Sequence, residues 1–335
     1  MGDAPQAALP LAEHLATLLP GPGRASLSGS LIPSLIQAVA DIADTLRTAH
    51  NVALVGTANA FGDDQLNVDV AAEALLRTAL ASCPSVVAAS SEEDPVEVAV
   101  PHDSAVSDTT SEQYAIAFDP LDGSSIIAPN WTVGAIIGVW DGATALAQDP
   151  ATAQVASILG VFGPRTTAFV ALRVPGSAPT CFEVAIDPSP ARAHAVIRPS
   201  VRLNPAPHKT RYFAPANLRA AAEVPRYNAL ITRFITERWT MRYAGGLVPD
   251  LVHALVKGHG VYVSPTTARD PAKLRRLYEL CPIALIMECA GGSALDPADG
   301  SRILGRPVLD CDERGGLVCG NVEDVAEVVR DLLGP

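Results

Sequence analysis

The chain has 335 residues, 48% of them hydrophobic and 18% charged, a balance that suits a packed core and rules out disorder along the whole length. Thirty-six acidic side chains oppose 24 basic ones, and the formal net charge of −12 excludes non-specific binding along a nucleic-acid backbone while leaving room for a local basic pocket. The length suits two domains or one large one.

Residues 1–29 read as a tail with a short helix around 9–18, interrupted at Gly21-Pro22-Gly23. Asp3, Glu13 and the lack of a basic start argue against a secretory signal; a plastid transit peptide is expected only if it has already been removed. From Ile32 to Leu46 apolar residues recur at helical spacing, predicting a helix over 31–49 with Ser30 as its cap. A small-residue loop over 56–62 follows, then a helix over 66–81 that places Asp69 and Glu73 four apart on one side. Val86 to Ala89 reads as a strand running into Ser91-Glu92-Glu93, and 94–112 as a polar excursion. Tyr114 to Phe118 reads as a strand ending at Asp119-Pro120, and Trp131 to Trp140 as a buried strand. A helix is predicted over 151–160, then strands over 169–174, 181–186 and 193–197.

A Pro-rich crossing near 199–215 marks a boundary. It separates an N-terminal α/β domain over 30–198 from a C-terminal α/β domain over 199–335. Helices fit 225–238, 249–257, 271–279 and 282–290, and strands fit 212–214, 261–263 and 317–319. A last helix over 322–333 has Asn321 as its cap and Asp324 three residues on. The interleaving of helices and strands points to an α/β layered fold. Six cysteines without a CxxC pair fit a reducing compartment. No apolar run reaches the roughly 18 residues of a membrane span.

The chemistry concentrates in Phe118-Asp119-Pro120-Leu121-Asp122-Gly123-Ser124-Ser125. Two carboxylates three apart stand at a strand end, Pro120 fixes its own φ, and Gly123 permits a sharp turn. In a dry pocket two such acids repel each other, and a hard divalent cation resolves the repulsion. The Gly-Ser-Ser turn can cradle a phosphate with its N–H groups. The plainer reading is a solvated turn at a strand end. Glu92-Glu93 stand at the end of a second strand, and Glu288 stands among Ile286, Met287 and Cys289, as a further ligand or as a surface glutamate. Asp69 in a first helical turn orients a metal-bound water or complements the helix dipole. Lys273 is one of three lysines, and is a phosphate contact or an ordinary surface residue.

Further along stand Gly62-Asp63-Asp64-Gln65, Trp131-Thr132-Val133-Gly134, Gly163-Pro164-Arg165-Thr166-Thr167 and Asn217-Leu218-Arg219-Ala220. Arg242-Tyr243-Ala244-Gly245-Gly246-Leu247-Val248-Pro249-Asp250, Lys273-Leu274-Arg275 and Glu288-Cys289-Ala290-Gly291-Gly292 complete the set. With the two acidic motifs, in this order and across 30–330, the chain resembles the fructose-1,6-bisphosphatase family, most nearly its sedoheptulose-1,7-bisphosphatase branch.

The resemblance implies a layered α-β-α-β-α sugar-phosphatase fold with two mixed sheets. It implies two or more Mg²⁺ per subunit, with Mn²⁺ as a substitute, held by Glu92, Glu93, Asp119, Asp122, Glu288 and the carbonyl of Leu121. Asp63 and Asp69 would border the metal waters, and the proton acceptor would come from Asp63, Asp69 and Glu93. Gly123, Ser124 and Ser125 would hold the 1-phosphate; Asn217, Arg242, Tyr243 and Lys273 would hold the distal phosphate, with Arg219 adding charge at the far end of the sugar. The expected partners are a small sugar bisphosphate and a second copy of the chain in a homodimer or tetramer, with no nucleic acid or membrane. The setting would be carbohydrate metabolism such as the Calvin cycle, in the cytoplasm or a plastid.

The expected reaction is hydrolysis of the 1-phosphate of sedoheptulose 1,7-bisphosphate by a metal-activated water. Fructose 1,6-bisphosphate, or both substrates, is the alternative, and a non-catalytic metabolite-binding protein stands further off. Two departures bear on this. The run Gly56 to Phe61 lacks the cysteines of a chloroplast regulatory insertion, and Ser264 falls near a tyrosine position of the fructose branch.

Overall fold

The computed structural model describes residues 9–58, 64–102, 111–187 and 194–334. Among the described residues the larger sheet has nine strands, in the order Leu9–Pro10, Ala195–Arg198, Thr180–Ala185, Thr166–Leu172, Gln154–Phe162, Val133–Asp141, Tyr114–Asp122, Val86–Ser91 and Val98–Ala99. All neighbours are antiparallel except Tyr114–Asp122 and Val86–Ser91, which run parallel. A second sheet orders Thr240–Met241, Tyr212–Pro215, Val261–Ser264, Leu317–Gly320 and Ser293–Leu295. Its first three strands are parallel and the rest antiparallel, so both sheets are mixed as expected.

Strand alternation sorts the side chains into layers. In Tyr114–Asp122, Ile116 and Phe118 face a core shared with the helices Ile32–Thr48 and Asn67–Ala81. Ala115 and Ala117 face the opposite core, which they share with the helix Cys281–Cys289 and with Tyr262 and Cys319 of the second sheet. These small residues leave room for a helix that is apolar and buried at every position except Glu288 near its end, as suits a helix between two sheets. The far face of the second sheet packs on Pro225–Thr236 and Val322–Leu333. Helix, sheet, helix, sheet, helix is the expected layering.

Several local expectations change. Residues 151–160 do not form a helix: one turn, Pro150–Ala153, is capped by Asp149, and Gln154–Phe162 is a strand buried at every position. Both faces are covered, so its apolar run shows no alternation. Residues 271–279 give a two-residue strand, Leu274–Arg275, and a π turn, Arg276–Leu280, that feeds the next helix. Ser30 does not cap; it lies within a π turn, Leu27–Leu31, that runs into the helix, and its hydroxyl donates to the Ser26 carbonyl. Asn321 does not cap with its side chain either, because its Oδ1 accepts from Gly260 N–H at 3.0 Å. Within 1–29, Leu11, Leu15 and Leu27 are buried, and Leu9–Pro10 joins the sheet edge. The six cysteines form no disulfide, and no helix of the described residues is long and apolar enough to cross a membrane.

Candidate active site

The parallel pairing of Val86–Ser91 with Tyr114–Asp122 sets Ser91 opposite Phe118. One step on, Glu92 N–H donates to the Phe118 carbonyl at 3.0 Å. The Glu92 side chain is therefore delivered beside Asp119. The strand does not stop at Pro120, as expected, but continues to Asp122 with a register shift between Asp119 and Asp122. Pro120 has no N–H for the ladder, so the irregularity falls where it must. A third acid arrives from the π turn: Glu279, 6% exposed, with its carboxylate accepting from Arg275 N–H at 2.5 Å.

Glu92, Asp119 and Glu279 present oxygens that all lie within 4.8 Å of one another. Burial, then the negative charge of Glu92, holds the Asp119 and Glu279 carboxyls well above the usual range. The guanidinium of Arg275 hydrogen-bonds Glu92 from a buried position. Three carboxylates this close repel one another in a dry site, and an oxygen-rich set of this kind fits a hard divalent cation. Leu121 is buried between the two aspartates, and its N–H donates to Asp119 Oδ1.

Asp122 is placed differently from Asp119, the other acid of its motif. Its two oxygens accept from Leu247 N–H at 3.0 Å and Val248 N–H at 2.7 Å, at the start of the helix Leu247–Lys257. Burial, opposed by those two bonds, moves its pKa up to about 6. Glu288, expected as a ligand, is not in the cluster. It lies at the far end of Cys281–Cys289 and is gripped by Arg173 and Arg302 at 2.9 Å. Glu279 takes the place expected of it. Glu279, between Tyr278 and Leu280, is a glutamate among hydrophobic neighbours just as Glu288 is.

A second acidic group adjoins. Asp69, 3% exposed, accepts from Leu66 N–H at 2.9 Å, and its Oδ1 is buried without a hydrogen-bond partner among the described residues. Burial, with Glu93 adding to it against the Leu66 bond, raises its pKa to about 6. Glu93 also acts on Glu73, so Asp69, Glu73 and Glu93 share one environment. Asp63 lies outside the described residues.

Gly123 has φ +98°, and a Cβ there would stand 3.2 Å from Val133, so the turn needs glycine. It opens a single helical turn, Ser124–Ile127, whose two serines are exposed. On the distal side, Asn217 donates its amide to the carbonyls of Pro265 and Asp270, and Arg219 lies 3.3 Å from the Asp270 carboxylate. Tyr243 is 46% exposed and senses Arg219. Arg242 is exposed and donates to the Met241 carbonyl, and Lys273 is exposed just before Leu274–Arg275.

The N-terminal domain model of fructose-1-6-bisphosphatase matches residues 23–185, and the C-terminal domain model matches 206–332. Chloroplastic sedoheptulose-1,7-bisphosphatase of Chlamydomonas reinhardtii is 37% identical, over 97% of this chain and 77% of its own. A class 1 fructose-1,6-bisphosphatase of Syntrophotalea carbinolica is 32% identical, over 90% and 88%. The crystal structure of a Toxoplasma gondii protein assigned as a sedoheptulose-1,7 bisphosphatase gives a TM-score of 0.84 at 33% identity, covering 97% of this chain and 98% of that one.

Proposed function

Because the chain belongs to the fructose-1,6-bisphosphatase family, we propose that it hydrolyses the 1-phosphate of sedoheptulose 1,7-bisphosphate with Mg²⁺, giving sedoheptulose 7-phosphate and inorganic phosphate. The observation that carries the reading is the convergence of Glu92, Asp119 and Glu279 from three elements. The 37% relative and the serine at 264 favour the seven-carbon substrate. Fructose 1,6-bisphosphate is the second reading, favoured by the 32% relative.

In this reading Glu92, Asp119, Glu279 and the Leu121 carbonyl hold the cation. A bound divalent ion supplies charge neutralisation for the phosphoryl oxygens and a more acidic water. Water oxygen bonds to phosphorus, the water proton passes to Asp69 or Glu93, and the bond from phosphorus to the C1 oxygen breaks with its electron pair staying on that oxygen, which takes up a proton from solvent. Asp69, with a pKa near 6, is poised for that task at neutral pH. Gly123, Ser124 and Ser125 orient the 1-phosphate; Asn217, Arg219, Arg242, Tyr243 and Lys273 hold the other end. The exposed Arg242 suits a homodimer in which it serves a neighbouring subunit.

The test is kcat/KM for the seven- and six-carbon bisphosphates side by side with Mg²⁺, then with excess chelator. The reading expects the seven-carbon substrate to lead and the chelator to stop phosphate release. A higher value for the six-carbon substrate selects the second reading, and release from neither overturns both.

A further inference from the structure

We infer that Asp250 is a positioning residue for the distal-phosphate arm, fixing Arg242 and Tyr243 through the backbone between them and the Leu247–Lys257 helix; the inference rests on the function proposed above. Arg242 and Tyr243 are both exposed, and the Arg242 guanidinium has only the Tyr212 ring, 5.7 Å from its centroid, and the neighbouring Met241 carbonyl as contacts among the described residues. Their backbone must be held instead. On one side, Arg242 N–H donates to the Phe213 carbonyl at 2.9 Å, anchoring the arm to the second sheet. On the other side, Asp250, 6% exposed, accepts from the N–H groups of Ala244 and of Gly245, the latter at 3.1 Å.

Asp122 then takes the N–H groups of Leu247 and Val248. Four amides between 244 and 248 are thus held by two carboxylates, one from the helix itself and one from the strand that carries Asp119. Gly245 supplies the φ of +96° that lets the chain turn between the two anchors. Asp250 therefore ties the arm to the helix whose start Asp122 holds, without standing among the clustered acids.

Two effects of Asp250 have opposite signs. Its negative charge disfavours an anion nearby, so charge removal alone lowers KM. Its hydrogen bonds place Arg242 and Tyr243, so their loss raises KM. Asp250→Ala is expected to raise the KM of the full-length enzyme for its bisphosphate about tenfold or more, with kcat within about threefold. The Mg²⁺ concentration for half-maximal activity stays unchanged. Asp250→Asn, which keeps one acceptor oxygen, falls between wild type and the alanine variant, and carries the test alone where the alanine variant does not fold. An unchanged or lowered KM in either folded variant overturns the inference, as does a parallel shift in Mg²⁺ requirement. Wild-type enzyme that releases no phosphate from either bisphosphate overturns the functional reading instead.

Discussion

Arg275 touches two of the three clustered acids: its guanidinium donates to Glu92, and its backbone N–H donates to Glu279 at 2.5 Å. With 2% of its side chain exposed, it is a cation stored in the protein interior next to carboxylates that burial would otherwise neutralise. Its Nε also lies 3.9 Å from Asp312, so a surface loop shares in holding it. The short Leu274–Arg275 strand, paired with Arg314–Gly315, fixes the backbone from which this arrangement projects.

Glu279 and Glu288 make opposite predictions. Glu279→Gln removes a charge from the cluster and is expected to cost several kcal/mol of transition-state stabilisation, on the order of 100-fold in kcat/KM or more, with a raised Mg²⁺ requirement. Glu288→Gln breaks the contacts with Arg173 and Arg302, both partly solvent-screened, and is expected to cost about 1–2 kcal/mol of stability with kcat/KM within about threefold. Urea unfolding and steady-state kinetics on both variants decide the matter. A catalytic collapse in the Glu288 variant at normal stability would return that residue to the metal site.

Gly134 stands opposite Asp122 in the sheet register. A Cβ at Gly134 would come within 2.4 Å of the Val248 side chain, the residue whose N–H Asp122 holds. The glycine thus lets the Leu247–Lys257 helix start close against the strand. Gly134→Ala is expected to lose about 1–3 kcal/mol through overpacking and to weaken substrate capture as the helix start moves. Thermal unfolding at normal midpoint with unchanged KM would show that the helix adjusts freely.

The sequence makes some of this legible and hides the rest for physical reasons. Asp119, Asp122 and Gly123 belong to one local turn, and local turns are written in adjacent residues. The Glu92–Asp119 approach is also readable, since two strand ends need only be neighbours. Glu279 is hidden because its π turn gives no periodic signature, and Tyr278 and Leu280 around it look like Met287 and Cys289 around Glu288. The choice between them is made by packing of the turn on the Tyr114–Asp122 strand. Gln154–Phe162 is hidden because a strand buried on both faces shows no period. Asn321 looks like a cap, but its side chain serves Gly260, just before the strand Val261–Ser264.

Lys273 is exposed and sits beside the strand that places Arg275. In the proposed function it contributes a charged hydrogen bond to the distal phosphate. Such a bond is worth about 1.5–3 kcal/mol, so Lys273→Ala is expected to lower kcat/KM by roughly 10- to 100-fold, mostly through KM. Stability should stay within about 0.5 kcal/mol, as for other surface changes. Full activity in a folded Lys273→Ala enzyme would remove the residue from the site.

The buried acids predict how pH and metal act together. Asp69, Asp122 and Asp250 ordinarily ionise near 3.8, and in the fold burial lifts each to about 6 against backbone hydrogen bonds. Between those values the folded chain holds more protons than the unfolded one, so unfolding free energy falls as pH rises through this window and stays low above it. Glu313 and Glu327 act in the other direction. Burial there is outweighed, for Glu313 by bonds from Leu309 and Arg306 and for Glu327 by bonds from Arg211 and Arg233, and their contribution is lost as pH falls through their lowered pKa. Between pH 5 and 8, metal-free protein should therefore be most heat-resistant at the acid end and lose midpoint temperature towards pH 7.5. Mg²⁺ binds the ionised carboxylates of the cluster, and burial with the charge of Glu92 holds Asp119 and Glu279 well above the usual range, so its stabilisation should be larger at pH 8 than at pH 5. Melting curves from pH 5 to 8, in chelator and in Mg²⁺, show the crossing directly. An equal Mg²⁺ increment at pH 5 and pH 8 would mean that the ion binds somewhere other than among these acids.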